Sequence, residues 1–235
     1  MSDRLATILL PGLDGTGDLF APLLEVFPET LEPFVISYPP DQLLGYRELE
    51  EFVAAKLPAD RDFAIVAESF SGPLAARLAG KCPAGLRGLV LVASFVANPS
   101  WGMLRYLRFL VRSPLFRFSL PGFAIRCRLV GPDAPDQLVA EVAAAIRTVR
   151  PVVMARRVRE VLRVDASESF AAVRVPILYL LGEQDRQVGA RVADELGEAR
   201  PDMEIVSIPA PHLILQCEPL EAARRIGAFL KSQSS

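Results

Sequence analysis

Histidine is nearly absent from this sequence. The 235-residue chain has one, His212, so any chemistry that needs an imidazole base must use it. Cysteine is scarce as well. Cys82, Cys127 and Cys217 form an odd, scattered set with no CxxC pair. That speaks against a disulfide framework or a thiolate zinc site, and for reduced thiols in a cytoplasmic protein. Net charge is only −2, which is not the basic footprint of a nucleic-acid binder. No run approaches the ~18 uninterrupted apolar residues of a transmembrane helix. The opening MSDRLATILLPG sets Asp3 and Arg4 before a six-residue apolar run. That run is too short and wrongly flanked for a signal peptide and reads better as a strand.

What is present is apolar material. Hydrophobic residues make up 51% of the chain, ample for a buried core and contrary to disorder. The length fits one domain, or one domain carrying a large insertion. Apolar runs alternate with amphipathic stretches. Strands are expected at 5–10, 34–38, 63–67, 86–94, 174–182 and 203–208. Helices are expected at 18–27, 46–57, 70–81, 189–199 and near 219–231. Near-continuous apolar strands alternating with helices predict an α/β fold, a mostly parallel, doubly wound sheet covered on both faces.

The alternation fails between the fourth and fifth strands. Residues 98–170 read as helical, interrupted by Pro114, Pro121, Pro132, Pro135 and Pro151. We expect a helical cap over the end of the sheet, with residues 1–97 and 171–235 forming the core. The insertion also lacks lysine entirely. Its twelve arginines face six carboxylates, a net +6 that leaves −8 for the rest of the chain.

In an open α/β sheet, functional residues gather on loops at the carboxyl ends of strands. Four such loops carry polar or glycine-rich sequence here: LLPGLDGTGDLF (9–20), AESFSG (67–72), LLGEQDRQV (180–188) and IPAPHLILQCEP (208–219). The last holds His212. The second, taken alone, leaves Ser69 open to two readings, a nucleophile on a sharp turn or an N-cap for the following helix. The first has the spacing G-x-x-G-x-G, which is not the dinucleotide fingerprint G-x-G-x-x-G and lacks a P-loop lysine. No nucleotide, metal or organic cofactor is expected.

In this order the four segments resemble those of the α/β-hydrolase superfamily, and the resemblance spans nearly the whole chain. Its nucleophile–acid–base order is matched by Ser69, Asp185 and His212. The resemblance implies that Ser69 attacks, His212 acts as base, and Asp185 orients the imidazole. Ser71 is the competing hydroxyl and Glu183 the competing acid. The stretch departs from G-x-S-x-G at Ala67 and Ser71, but both are small enough for a tight turn. The resemblance points to the Phe70 and Leu13 amides as oxyanion donors, with Gly12 and Asp14 as further substrate contacts on the first loop.

The implied activity is a carboxylic ester or thioester hydrolase with a small-molecule acyl substrate. An acyltransferase on the same triad is the alternative, and a ligand-binding protein without turnover a more distant one. Trp101 and Tyr106, with their apolar neighbours, are open to two readings, acyl-pocket lining or helix core. Arg105, Arg108 and Arg112 recur at helical spacing. Arginine without lysine suits bidentate anion recognition, so an acyl carrier protein, a coenzyme A ester or an anionic lipid surface is an expected partner, beside the plainer reading of a solvated face.

Overall fold

The computed structural model describes residues 4–98, 111–117 and 120–233. Among them, six strands form a single sheet. The four apolar runs make its middle: β1 (Leu5–Leu10), β3 (Phe63–Glu68), β4 (Leu86–Val92) and β5 (Ile177–Gly182). Two less buried strands, β2 (Leu31–Val35) and β6 (Glu204–Ile208), form the edges. The order is β2-β1-β3-β4-β5-β6 and each neighbouring pair is parallel.

The central strands read as unbroken apolar runs because both their faces are covered. Alternation sends Ile8, Leu10, Ile65, Leu89 and Tyr179 into one core and Leu9, Val66, Val90 and Leu180 into the other. The first core is closed by α2 (Tyr46–Ala54), α3 (Gly72–Gly80), α7 (Ser167–Ala171) and α8 (Gly189–Ala199). The second is closed by α1 (Ala21–Glu25), α9 (Ile214–Cys217) and α10 (Pro219–Lys231).

The second strand lies earlier than its expected 34–38. It includes Pro33, which pairs with Thr7. A proline is tolerated there because β2 is an edge strand and only one of its sides needs ladder donors. Beyond β2 the chain stays beside the first loop, with Ile36 N–H donating to Leu9 O (3.1 Å) and Tyr38 N–H to Gly15 O (2.7 Å). The expected helix at 18–27 is a 3-10 turn, Asp18–Phe20, followed by the short α1.

In the 98–170 stretch the described segments are helical: α4 (Gly122–Ile125), α5 (Asp136–Thr148), α6 (Pro151–Val161) and α7. Pro151 opens α6 at a position where a missing N–H costs nothing. Extended pairing among the described residues here is limited to one bridge, Ala97 with Asp165. Ile125, Val130, Val142 and Ala145 pack on Leu19 and Leu213, from loops at the carboxyl ends of strands. Trp101, Tyr106, Arg105 and Arg108 lie outside the described residues. Among those described, no helix is long and apolar enough to cross a membrane.

Candidate active site

At the end of β3 the backbone turns sharply. Ser69 has φ +46°, in the left-handed region that non-glycine residues seldom occupy and that costs on the order of 1 kcal/mol or more. It does not cap a helix: α3 has Ser71 as its N-cap residue, with no side-chain cap bond. The turn instead presents the Ser69 hydroxyl to the loop after β6. His212 Nε2 lies 2.9 Å from Ser69 Oγ, and His212 Nδ1 lies 2.8 Å from Asp185 Oδ2.

The Asp185 side chain is fully buried and that of His212 nearly so. Burial pushes the Asp185 carboxyl pKa up. The hydrogen bond from His212, its charge, and N–H donors from Gln187 and Val188 outweigh this and hold it below the usual value. An ionised Asp185 accepts the bond, so Nδ1 carries the proton and Nε2 turns a lone pair toward Ser69. The competing acid Glu183 is exposed and Asp185 occupies the contact with the imidazole.

Ser71, the competing hydroxyl, has a different task. It is fully buried, donates to the Pro11 carbonyl and shares a 2.5 Å hydrogen bond with Tyr38 Oη. It thus ties the turn to the first loop. Close packing falls one residue later, at Gly72. A Cβ there would lie 2.0 Å from Ser94 Oγ and 2.4 Å from Phe95 O. Ser94 Oγ in turn donates to Ser69 O at 2.6 Å. We expect Gly72→Ala to destabilise by about 2 kcal/mol or more, since a backbone oxygen cannot move aside cheaply. Urea unfolding of the variant measures it.

The first loop is held from several sides. The Gly12 carbonyl accepts from Gly15 N–H at 3.0 Å. Asp14 is buried, and its carboxylate accepts from Thr16 N–H and Thr16 Oγ–H. Among the described residues neither the Leu13 nor the Phe70 amide has a hydrogen-bond acceptor. Within one peptide unit N–H and C=O point in opposite directions, so the Leu13 N–H points away from the carbonyl that Gly15 engages.

Three neighbours of the candidate site escaped the sequence reading. Glu68 is buried beside Ser69, and its Oε1 has no partner among the described residues. Its carboxyl pKa is pushed up to about 7, first by burial and then by the Asp14 charge, against lesser opposition from Gln216, His212 and the Gly12 amide. Gln216 is buried and donates to Leu19 O. Arg157 of α6 reaches the first loop from the insertion. Glu68 closes an otherwise apolar strand, and Arg157 falls at helical spacing from Val153 and Val161. Charges on buried faces were the available signals.

The Glu68 shift has a stability consequence. A carboxyl with a raised native pKa binds more protons folded than unfolded between about 4.5 and about 7. Folding stability therefore falls as pH rises through that window, by about 3 kcal/mol in total. Glu68→Gln should remove the fall. Unfolding of both proteins between pH 4.5 and 8 checks it, with the variant gaining most at the alkaline end.

A groove of about 790 Å³ runs between α1 and α5, past Pro211 and Gln216, but neither Ser69 nor His212 lines it. Among the described residues no group of three or more His, Cys, Asp or Glu could hold a metal ion.

A family model described as "Alpha/beta hydrolase family" matches residues 4–224. No curated protein sequence matches significantly. Solved structures do. MenH from S. aureus superposes with a TM-score of 0.81 at 16% identity, covering 100% of this chain and 96% of the other. A thermophilic esterase from Thermogutta terrifontis gives 0.79 at 18%, covering 100% and 92%. The enol-lactonase from Burkholderia xenovorans gives 0.75 at 14%, covering 97% and 92%. At such identities the likeness is one of fold.

Proposed function

This chain belongs to the alpha/beta hydrolase family, and from that premise we propose that it is a serine hydrolase of carboxylic esters or thioesters. The observation that carries the reading is the continuous line from Asp185 through His212 to Ser69, at 2.8 and 2.9 Å, on a turn whose φ is +46°. A serine hydroxyl is a weak nucleophile until a base takes its proton. In the proposed cycle His212 Nε2 takes the Ser69 proton as Oγ attacks the acyl carbonyl. The oxyanion is received by the Leu13 and Phe70 amides. The imidazolium, stabilised by Asp185, then protonates the leaving group. Water, activated by the same imidazole, releases the acyl group from Ser69.

Residues 98–170 serve in this reading as the cap that shapes the acyl site, with Trp101 and Tyr106 among its candidate contacts. Their net charge of +6 favours an anionic leaving group such as coenzyme A or an acyl carrier protein. Turnover of p-nitrophenyl acyl esters by wild type and Ser69→Ala tests the mechanism. A chain-length series of esters against matching coenzyme A thioesters tests the leaving group.

A further inference from the structure

The first loop owes its shape to a series of donors. Pro11 O accepts from Ser71 Oγ–H, Gly12 O from Gly15 N–H, and Gly15 O from Tyr38 N–H. The two carbonyls between them, Leu13 O and Asp14 O, accept from a single group, Arg157 Nη1, at 3.1 and 2.6 Å. Arg157 Nη2 donates to Pro39 O at 3.1 Å. This arginine is only 2% exposed. Among the described residues no carboxylate lies within ion-pair distance of it. Its guanidinium lies 5.8 Å from the Tyr38 ring centroid.

A buried guanidinium spent on three carbonyls is expensive unless the arrangement it holds matters. Its planar fork fixes the direction of each peptide it touches. Peptide planarity converts carbonyl direction into amide direction. Asp14 O shares its peptide with Gly15 N–H, so Arg157 Nη1 on Asp14 O aims that N–H at Gly12 O. Gly12 O shares its peptide with Leu13 N–H, which is thereby turned the opposite way. Gly15 is shaped around the same group. It has φ +68°, and a Cβ there would lie 2.5 Å from Arg157 Nη1.

We infer that Arg157 is a positioning residue that reaches from the helical insertion to set the Leu13 amide for the oxyanion. It touches neither substrate nor reacting atoms; it acts through the loop. The inference rests on the serine-hydrolase reading and on Leu13 as a donor. It adds that the seating of α6 is coupled to the chemical step rather than to substrate binding alone.

The experiment compares kcat and KM for a p-nitrophenyl acyl ester in wild type, Arg157→Met and Arg157→Ala, with circular dichroism and thermal unfolding as controls. A misaligned oxyanion donor should lower kcat on the order of 30- to 100-fold while KM moves less than about threefold. Guanidinium chloride at sub-denaturing millimolar levels should restore part of the kcat of Arg157→Ala. Wild-type kcat in folded variants, a change confined to KM, or no guanidinium rescue in folded Arg157→Ala would each overturn the inference. Should both variants fail to fold, Arg157→Lys decides. It keeps the charge but not the fork, so kcat should fall at least about tenfold; an unchanged kcat overturns the proposal. Ser69→Ala, run alongside, separates the two ideas. Turnover surviving in it sinks the serine mechanism itself, whereas its loss beside wild-type kcat in the Arg157 variants sinks only the clamp.

Discussion

Ser69→Ala is expected to cut ester turnover on the order of 10⁴-fold or more while leaving the fold and its unfolding midpoint close to wild type. The size follows from the loss of the covalent route. Without Oγ there is no acyl-enzyme, and what remains is the rate that a bound ester shows beside two amides and an imidazole. The small effect on stability has its own argument. Ser69 is partly exposed, and among the described residues its hydroxyl has His212 as its hydrogen-bond partner. Alanine keeps the Cβ that the φ of +46° already accommodates. Turnover within about tenfold of wild type would end the mechanism. Stoichiometric labelling by a fluorophosphonate, lost in the variant, reads the same hydroxyl without depending on the choice of ester.

Asp185→Asn should lower kcat by about 10⁴-fold, or about 5.5 kcal/mol of barrier. The carboxylate accepts from His212 Nδ1 with one oxygen and from the Gln187 and Val188 amides with the other. An asparagine can keep only one of these faces as an acceptor. If its oxygen stays on the two amides, its NH₂ faces the imidazole. The ring then turns over its protonation, places N–H on Nε2, and loses the lone pair that Ser69 needs. Glu183→Gln is the matched control. Glu183 is exposed, so its loss should leave kcat within about twofold. If the two substitutions exchanged effects, the assignment of the acid would be wrong.

The sheet was legible because a parallel strand covered on both faces must be apolar at nearly every position, and LATILL and FAIVA can be little else. Where that condition lapses, legibility lapses too. The edge strand carries Pro33 and half-exposed neighbours, and its start was misplaced by three residues. The site was legible through scarcity. With one histidine, the candidate base had no rival, and the resemblance to the α/β-hydrolase order put forward Ser69 and Asp185 as its partners; the structure brings these three side chains within hydrogen-bond distance. What escaped was how the site is shaped from behind: the task of Ser71 on the Pro11 carbonyl, and the presence of Glu68 against Asp14 and of Arg157, which reaches across 143 residues to Asp14 O. Each works through backbone groups or burial, and the trace it leaves in the sequence is a polar residue among apolar ones, which does not name its partner. Arg157 was counted in the +6 of the insertion as if it faced solvent.

A chain with a single imidazole carries its own reporter. His212 is 4% exposed and bonded on both ring nitrogens, so the whole histidine signal of this protein originates between Asp185 and Ser69, in the candidate site. A proton resonance, an isotope label or a histidine-selective reagent needs no assignment here. Whatever moves Asp185, Ser69 or the buried Glu68 is written into one ring, against a background that is empty of others.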